Sequence, residues 1–215
     1  MNNNKDWFRK TTWTEEDEKH FFSKLLKVRN RSMQAQYLKL QAGSLLWTKK
    51  NDLMNVAENL LNKLLVDYPD AKGEISDALK YLGDIYLFRE DYKRAINYYK
   101  RSTDYEAIFP YSITNAFLDY AELVVKNECV DLYDDVEKLL LDKRYASCLI
   151  FPLSKYIAYS VLSIINNYKG EEEKAKYYAD LAEENVGLQQ SGFVKHQSLG
   201  LVTERDKILD ELVRK

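Results

Sequence analysis

Residues 79–99 decide the reading: Leu79-Lys80-Tyr81-Leu82-Gly83-Asp84-Ile85-Tyr86, then Asp91-Tyr92-Lys93-Arg94-Ala95-Ile96-Asn97-Tyr98-Tyr99. Apolar and aromatic residues recur at three- and four-residue intervals, the period of a helix with one buried stripe. Gly83 falls inside the first stretch, where glycine costs about 0.5–1 kcal/mol relative to alanine. Glycine at such a place points to a close helix crossing. Gly83 and Ala95 let two antiparallel helices approach, and Leu82, Tyr86 and Tyr99 fill the space on either side.

The same texture extends in both directions. Thr14-Glu15-Glu16-Asp17 predicts a helix start in which the Thr14 hydroxyl accepts from the backbone N–H of residue 17 and the acids face the positive end of the dipole. Phe21, Phe22, Leu25 and Leu26 supply its stripe, and Arg29-Asn30-Arg31-Ser32 ends it. Further helices are expected at about 33–47 and 53–67, the latter stopped by Tyr68-Pro69-Asp70, because proline cannot continue the hydrogen-bond ladder. Paired helices follow at about 74–88 with 91–104, 111–126 with 131–143, and 152–168 with 171–184, and a last one at about 203–214. No segment alternates with period two, so no sheet is predicted.

Helix pairs every 34 to 40 residues point to internal repetition. Residues 79–102 resemble the tetratricopeptide repeat: Leu82, Gly83 and Tyr86 fill that family's first-helix places, and Tyr92, Ala95 and Tyr99 its second-helix places. The unit departs from the pattern where a late Ala and a closing Pro are expected; Ser102 and Ala107 stand there. A second match covers 156–187, with Leu162-Ser163, the turn Gly170, Ala175 and Ala182. Weaker ones span 38–69, with Ala57 and Pro69 in register, and about 114–143, with Ala121 and Leu123. The resemblance implies an all-α fold of antiparallel helix pairs stacked as a right-handed α-solenoid with capping helices at both ends. Its expected divisions are 1–32 (capping segment and helix), 33–187 (repeats) and 188–215 (loop and capping helix).

Composition agrees with helices. The 215 residues are 46% hydrophobic and 31% charged, with 7 Gly and 3 Pro, too few turn residues for a sheet-rich domain of this length. No 18-residue apolar run is present, and the start, Met1 to Asp6, is polar, so neither a membrane span nor a secretory signal is expected. Cys129 and Cys148 fit no metal or redox spacing, and a reducing cytoplasm is the expected compartment. Both read as small core hydrophobes rather than nucleophiles. Net charge is −2 overall, but residues 1–50 hold 11 Lys+Arg against 5 Asp+Glu. Ordinary charge scatter over solvated helix faces is the favoured reading of that excess.

Two end segments lie outside the repeats. Trp7, Phe8 and Trp13 at the front, and Phe193 in the loop Ser191–Gln197, are expected to cover exposed core, as terminal elements of a repeat array must. The front segment resembles the opening of a group of bacterial repeat proteins of unassigned activity, which implies a bacterial source and no particular chemistry.

No catalytic constellation stands out. There is no phosphate-cradling glycine loop, nucleophile elbow or paired-histidine helix motif. His20 and His196 lie far apart in sequence, and Asp134-Asp135 and Glu171-Glu172-Glu173 fall at predicted helix starts, where acids serve the dipole. No catalytic residue, cofactor or metal is therefore expected. Seventeen tyrosines are expected mostly at or near the core, some lining a groove.

In tetratricopeptide arrays the first helix of each pair lines a groove that takes a peptide. The resemblance then implies partner-facing residues Asp77, Lys80, Asp84, Leu87 and Phe88; Asn115, Leu118, Glu122 and Lys126; and Ile157, Ser160, Ile164 and Tyr168. Family members that clamp a terminal carboxylate use a Lys and an Asn one turn apart. Lys80 matches, but Asp84 would repel that ligand, so an apolar peptide segment or a partner helix is expected instead. The leading expectation is a non-catalytic protein-interaction scaffold in the cytoplasm, its partner another protein or peptide and not a membrane. Alternatives are an immunity- or antitoxin-type inhibitor of a bacterial toxin, and nucleic-acid binding through the basic Lys24, Lys27, Arg29, Arg31 and Lys39. An enzyme with a dispersed site is the least favoured.

Overall fold

A computed structural model describes residues 6–214. Met1 to Lys5, most of the polar start, and Lys215 lie outside the described residues. All regular structure among the described residues is helical, with no strand. The helices are α1 (Glu15–Leu25), α2 (Arg31–Leu46), α3 (Asn51–Asp67), α4 (Lys72–Phe88), α5 (Tyr92–Ile108), α6 (Ala116–Lys126), α7 (Tyr133–Leu140), α8 (Lys143–Ala146), α9 (Pro152–Tyr168), α10 (Glu172–Val186) and α11 (Lys207–Val213). The all-α class is therefore as expected. No described helix is long and apolar enough to cross a membrane.

The chain divides into two compact units, Met1–Ala116 and Phe117–Lys215. In the first, α2 packs on α3 and α4 on α5, while α3 meets α4 and α2 meets α4, so consecutive pairs stack. Its core runs from Phe21 through Leu38, Leu46, Leu61 and Leu64 to Leu82 and Ile85, with Trp7, Phe8 and Trp13 packed against it. Trp7 stands 5.3 Å from Phe21 and 5.0 Å from Tyr37, so the front segment does cover core. In the second unit α9 pairs with α10, and α7 and α11 pack on α9.

Local chemistry sets the boundaries. The Thr14 hydroxyl accepts from the Asp17 N–H at 3.1 Å, and the Asp17 carboxylate accepts from the Thr14 N–H at 3.0 Å, a complete capping box. Pro152 opens α9 at a position where its missing N–H costs nothing. Three expectations are corrected. The helix expected from 111 starts at Ala116, because buried Glu106 accepts from the Thr114 N–H at 2.9 Å and its hydroxyl at 2.7 Å and holds the preceding turn. The helix expected at 131–143 breaks into a 3₁₀ turn (Val130–Leu132), α7 and α8, with Asp142 capping α8 at the Arg144 N–H. The last helix starts at Lys207 rather than 203, since Asp206 caps it at the Leu209 N–H.

Helices α2, α4, α6 and α9 are each followed by a left-handed residue. Lys49, Glu90, Glu128 and Gly170 all have positive φ and stand roughly forty residues apart. At the last three, the N–H of the left-handed residue donates to a carbonyl three residues back and the next N–H to one five residues back (Glu90 to Leu87 and Asp91 to Tyr86; Glu128 to Val125 and Cys129 to Val124; Gly170 to Asn167 and Glu171 to Asn166). This repeated Schellman-type turn is a backbone signature of repetition that side chains alone show faintly.

Candidate functional site

Counting back from these turns places the expected groove residues in one register. Asp77, Lys80, Asp84 and Phe88 stand before Glu90 as Asn115, Leu118, Glu122 and Lys126 stand before Glu128, and as Ile157, Ser160, Ile164 and Tyr168 stand before Gly170. The same register ahead of Lys49 adds Gln36, Lys39, Gly43 and Trp47 on α2. These were missed, because Arg31–Leu46 carries no Leu-Gly signature in that place; the recurring turn is the signal that finds them.

On the α2–α4 face Lys39, Asp77, Lys80 and Asp84 are engaged within the chain. Lys39 reaches Glu74 at 2.7 Å and Asp77 at 2.5 Å. Burial disfavours its charge, but the two carboxylates outweigh burial and hold its pKa above the ordinary lysine value. Lys80 pairs with Asp84 at 2.9 Å, and buried Asp84 also accepts from the Tyr99 hydroxyl at 2.9 Å. Asp84 is thus part of the α4–α5 packing rather than an open surface. Gly43 brings α2 close to the Tyr81 ring, 3.0 Å from where its Cβ would stand.

At the helix ends this face becomes aromatic and open. Trp47 is 56% exposed and Phe88 38%, their rings 6.4 Å apart edge to face, and Lys49 Nζ lies 5.3 Å over the Phe88 ring. Leu87 is half-buried.

In the second unit Leu118, Ser160 and Ile164 are buried, Ile157 is half-buried, and Tyr168 is open. Lys126 lies between Glu122 and Asp206, 2.5 Å from each. Glu122 and Ile157 line a cleft of about 500 Å³ with Tyr156 and residues 204–208.

The other candidate residues fall into structural places. Both cysteines are free and half-buried, which corrects the expectation of core positions. Burial, followed by Asp131, pushes the Cys129 thiol up, away from thiolate. Asp134 pairs with Lys169 at 2.5 Å, and Glu171 to Glu173 open α10. His20 is half-buried on α1 and His196 is exposed in the late loop. Among the described residues no group of three His, Cys, Asp or Glu is arranged to hold a metal ion. Phe193 stacks on Phe151 at 5.3 Å.

Comparison of the chain with known protein families, with curated proteins and with solved structures gives no match in any of the three.

Proposed function

We propose that the chain is a non-catalytic protein-interaction scaffold with tetratricopeptide-like packing, and that it binds an extended peptide or partner helix through the faces of its first helices. The observation that carries this is the open Trp47–Phe88 pair, held at equivalent ends of two adjacent first helices, with Lys49 over the Phe88 ring and the Lys39–Asp77 and Lys80–Asp84 pairs on the same face. Such a surface offers aromatic anchors of the kind that dominate protein interfaces, with polar groups around them. An apolar or aromatic side chain of the partner fits there better than a terminal carboxylate.

Nucleic-acid binding has less support. Lys39 is committed to Glu74 and Asp77, and Arg31 to the Asp67 carbonyl and the Tyr68 ring, so two of the five basic candidates are occupied within the fold.

Affinity capture of the tagged full-length chain from a lysate of its source organism, at low and moderate salt, tests the reading. One stoichiometric protein held at moderate salt supports it. Nucleic acid alone, released as salt rises, overturns it.

A further inference from the structure

The segment after the last helix pair does not simply extend the stack. From Arg205 onward it lies along α9, on the side that carries the expected groove residues. The Tyr156 hydroxyl donates to Asp210 at 2.9 Å and accepts from the Asp206 N–H at 3.1 Å. Asp206 pairs with Lys126 of α6 at 2.5 Å, and Arg205 ties Asp210 at 2.6 Å to Glu183 of α10 at 3.0 Å. Leu209 is wholly buried. Ser160 lines a cleft with Asp210 and Val213, and Ile164 and Tyr168 line another with Leu212. The first-helix face of this unit therefore already holds a short amphipathic helix.

Both apolar contact and charge hold that helix. Leu209 is fully buried, Leu212 and Val213 are half-buried, Ile208 is about half exposed, and the other anchors are ion pairs and hydrogen bonds. The chain leading in is pinned at Gly200, whose carbonyl accepts from the Leu153 N–H at 2.8 Å. Gly200 has a φ of +70° and lies against the Phe151 ring, so the pin is glycine-specific.

We infer that the α9 face, together with Lys126, is a seat for an acidic amphipathic helix, that α11 is its resident occupant, and that a partner helix of the same chemistry displaces it. The recognised pattern is the one α11 presents: a carboxylate at Asp206 for Lys126, a leucine at 209, and a carboxylate at Asp210 for the Tyr156 hydroxyl. This rests on the scaffold reading and names the class of partner for one face.

The test uses a fluorescein-labelled peptide of residues 203–214 against full-length chains. The native chain is compared with D206K/D210K, whose own segment is repelled by Lys126 and loses its bond to Tyr156, and with D206K/D210K carrying K126E in addition. The tethered segment competes at high effective concentration. The peptide should therefore bind D206K/D210K saturably and at least tenfold more tightly than the native chain, and K126E should cost at least tenfold. Equal binding to native and opened chains, no binding to an opened chain of native circular dichroism, or indifference to K126E each overturns the proposal.

Hydrogen exchange on the native chain tests it even where the variant fails to fold. Raising NaCl to about 1 M weakens the anchoring pairs, most at the more exposed Arg205–Glu183 contact. The α11 amides should then lose at least tenfold in protection while α9 and α10 keep theirs; α11 exchanging in step with α9 at both salts overturns the proposal. A lysate that yields no partner counts against the scaffold reading and leaves the peptide result standing, so the two failures are distinguishable.

Discussion

The ring of Tyr99 lies where a side chain on residue 83 would be: a Cβ there would meet Tyr99 Cδ1 at 2.5 Å. Tyr99 is fully buried and its hydroxyl is tied to Asp84, so the ring cannot swing away. In an exposed helix interior, replacing glycine by alanine stabilises by about 0.5–1 kcal/mol. Here overpacking wins. Gly83→Ala is expected to destabilise the fold by about 1–3 kcal/mol, read as a lower urea midpoint at unchanged slope.

Seven residues on, the sign reverses. Glu90 is exposed with φ 59°, in the left-handed region that closes α4. A β-carbon there costs about 1 kcal/mol. Glu90→Gly should raise stability by up to about that amount, less the greater freedom it gives the unfolded chain. Denaturation of G83A and E90G side by side checks both signs.

Gln41 of α2 hydrogen-bonds the front segment, beside the Trp7 and Phe8 rings on Tyr37. Gln41 is fully buried, its amide donating to the Lys10 carbonyl at 2.8 Å and accepting from the Lys10 N–H at 3.0 Å. Gln41→Leu removes both bonds and leaves two backbone groups unpaired, about 1–3 kcal/mol each if they stay dry. The segment should loosen while α2 to α5 remain folded. Limited proteolysis should then cut between residues 9 and 14 faster than in the native chain.

Acid should loosen the same segment. The Lys10 ammonium, then the Thr14 N–H, hold the Asp17 carboxyl well below its ordinary 3.8. A carboxyl more acidic in the folded than in the unfolded chain stabilises fully above its unfolded value, and that contribution is lost as pH falls further. Emission from Trp7 and Trp13 should therefore shift to the red as pH drops below about 4. Asp17→Asn, lacking the titrating group, should already be shifted at neutral pH and show a smaller acid step.

The sequence made the helices legible where one local device decides them: the Thr14–Asp17 box, Pro69 after α3, and the Gly83–Ala95 crossing. It failed where distant residues decide. Nothing near 111–115 announces that Glu106 will hold that turn, and Asp142 and Asp206 read as ordinary helix acids until they are seen capping. Of the face residues, Phe88 and Tyr168 were readable from the repeat pattern. Trp47 was not, because its equivalence to Phe88 rests on a left-handed turn at Lys49, and lysine gives no hint of positive φ. That α11 would lie on α9 was likewise invisible, since the contacts join residues some fifty positions apart.

The measurement that reaches the central claim most directly is the affinity of a captured partner protein for the native chain and for W47A/F88A, both full length, by titration calorimetry. Both side chains are substantially exposed, so the double variant should fold as the native chain does. Truncating a central aromatic anchor typically costs about 2 kcal/mol or more. The account predicts binding at least tenfold weaker in the variant. Equal affinity for the two chains would contradict it and place the binding surface elsewhere.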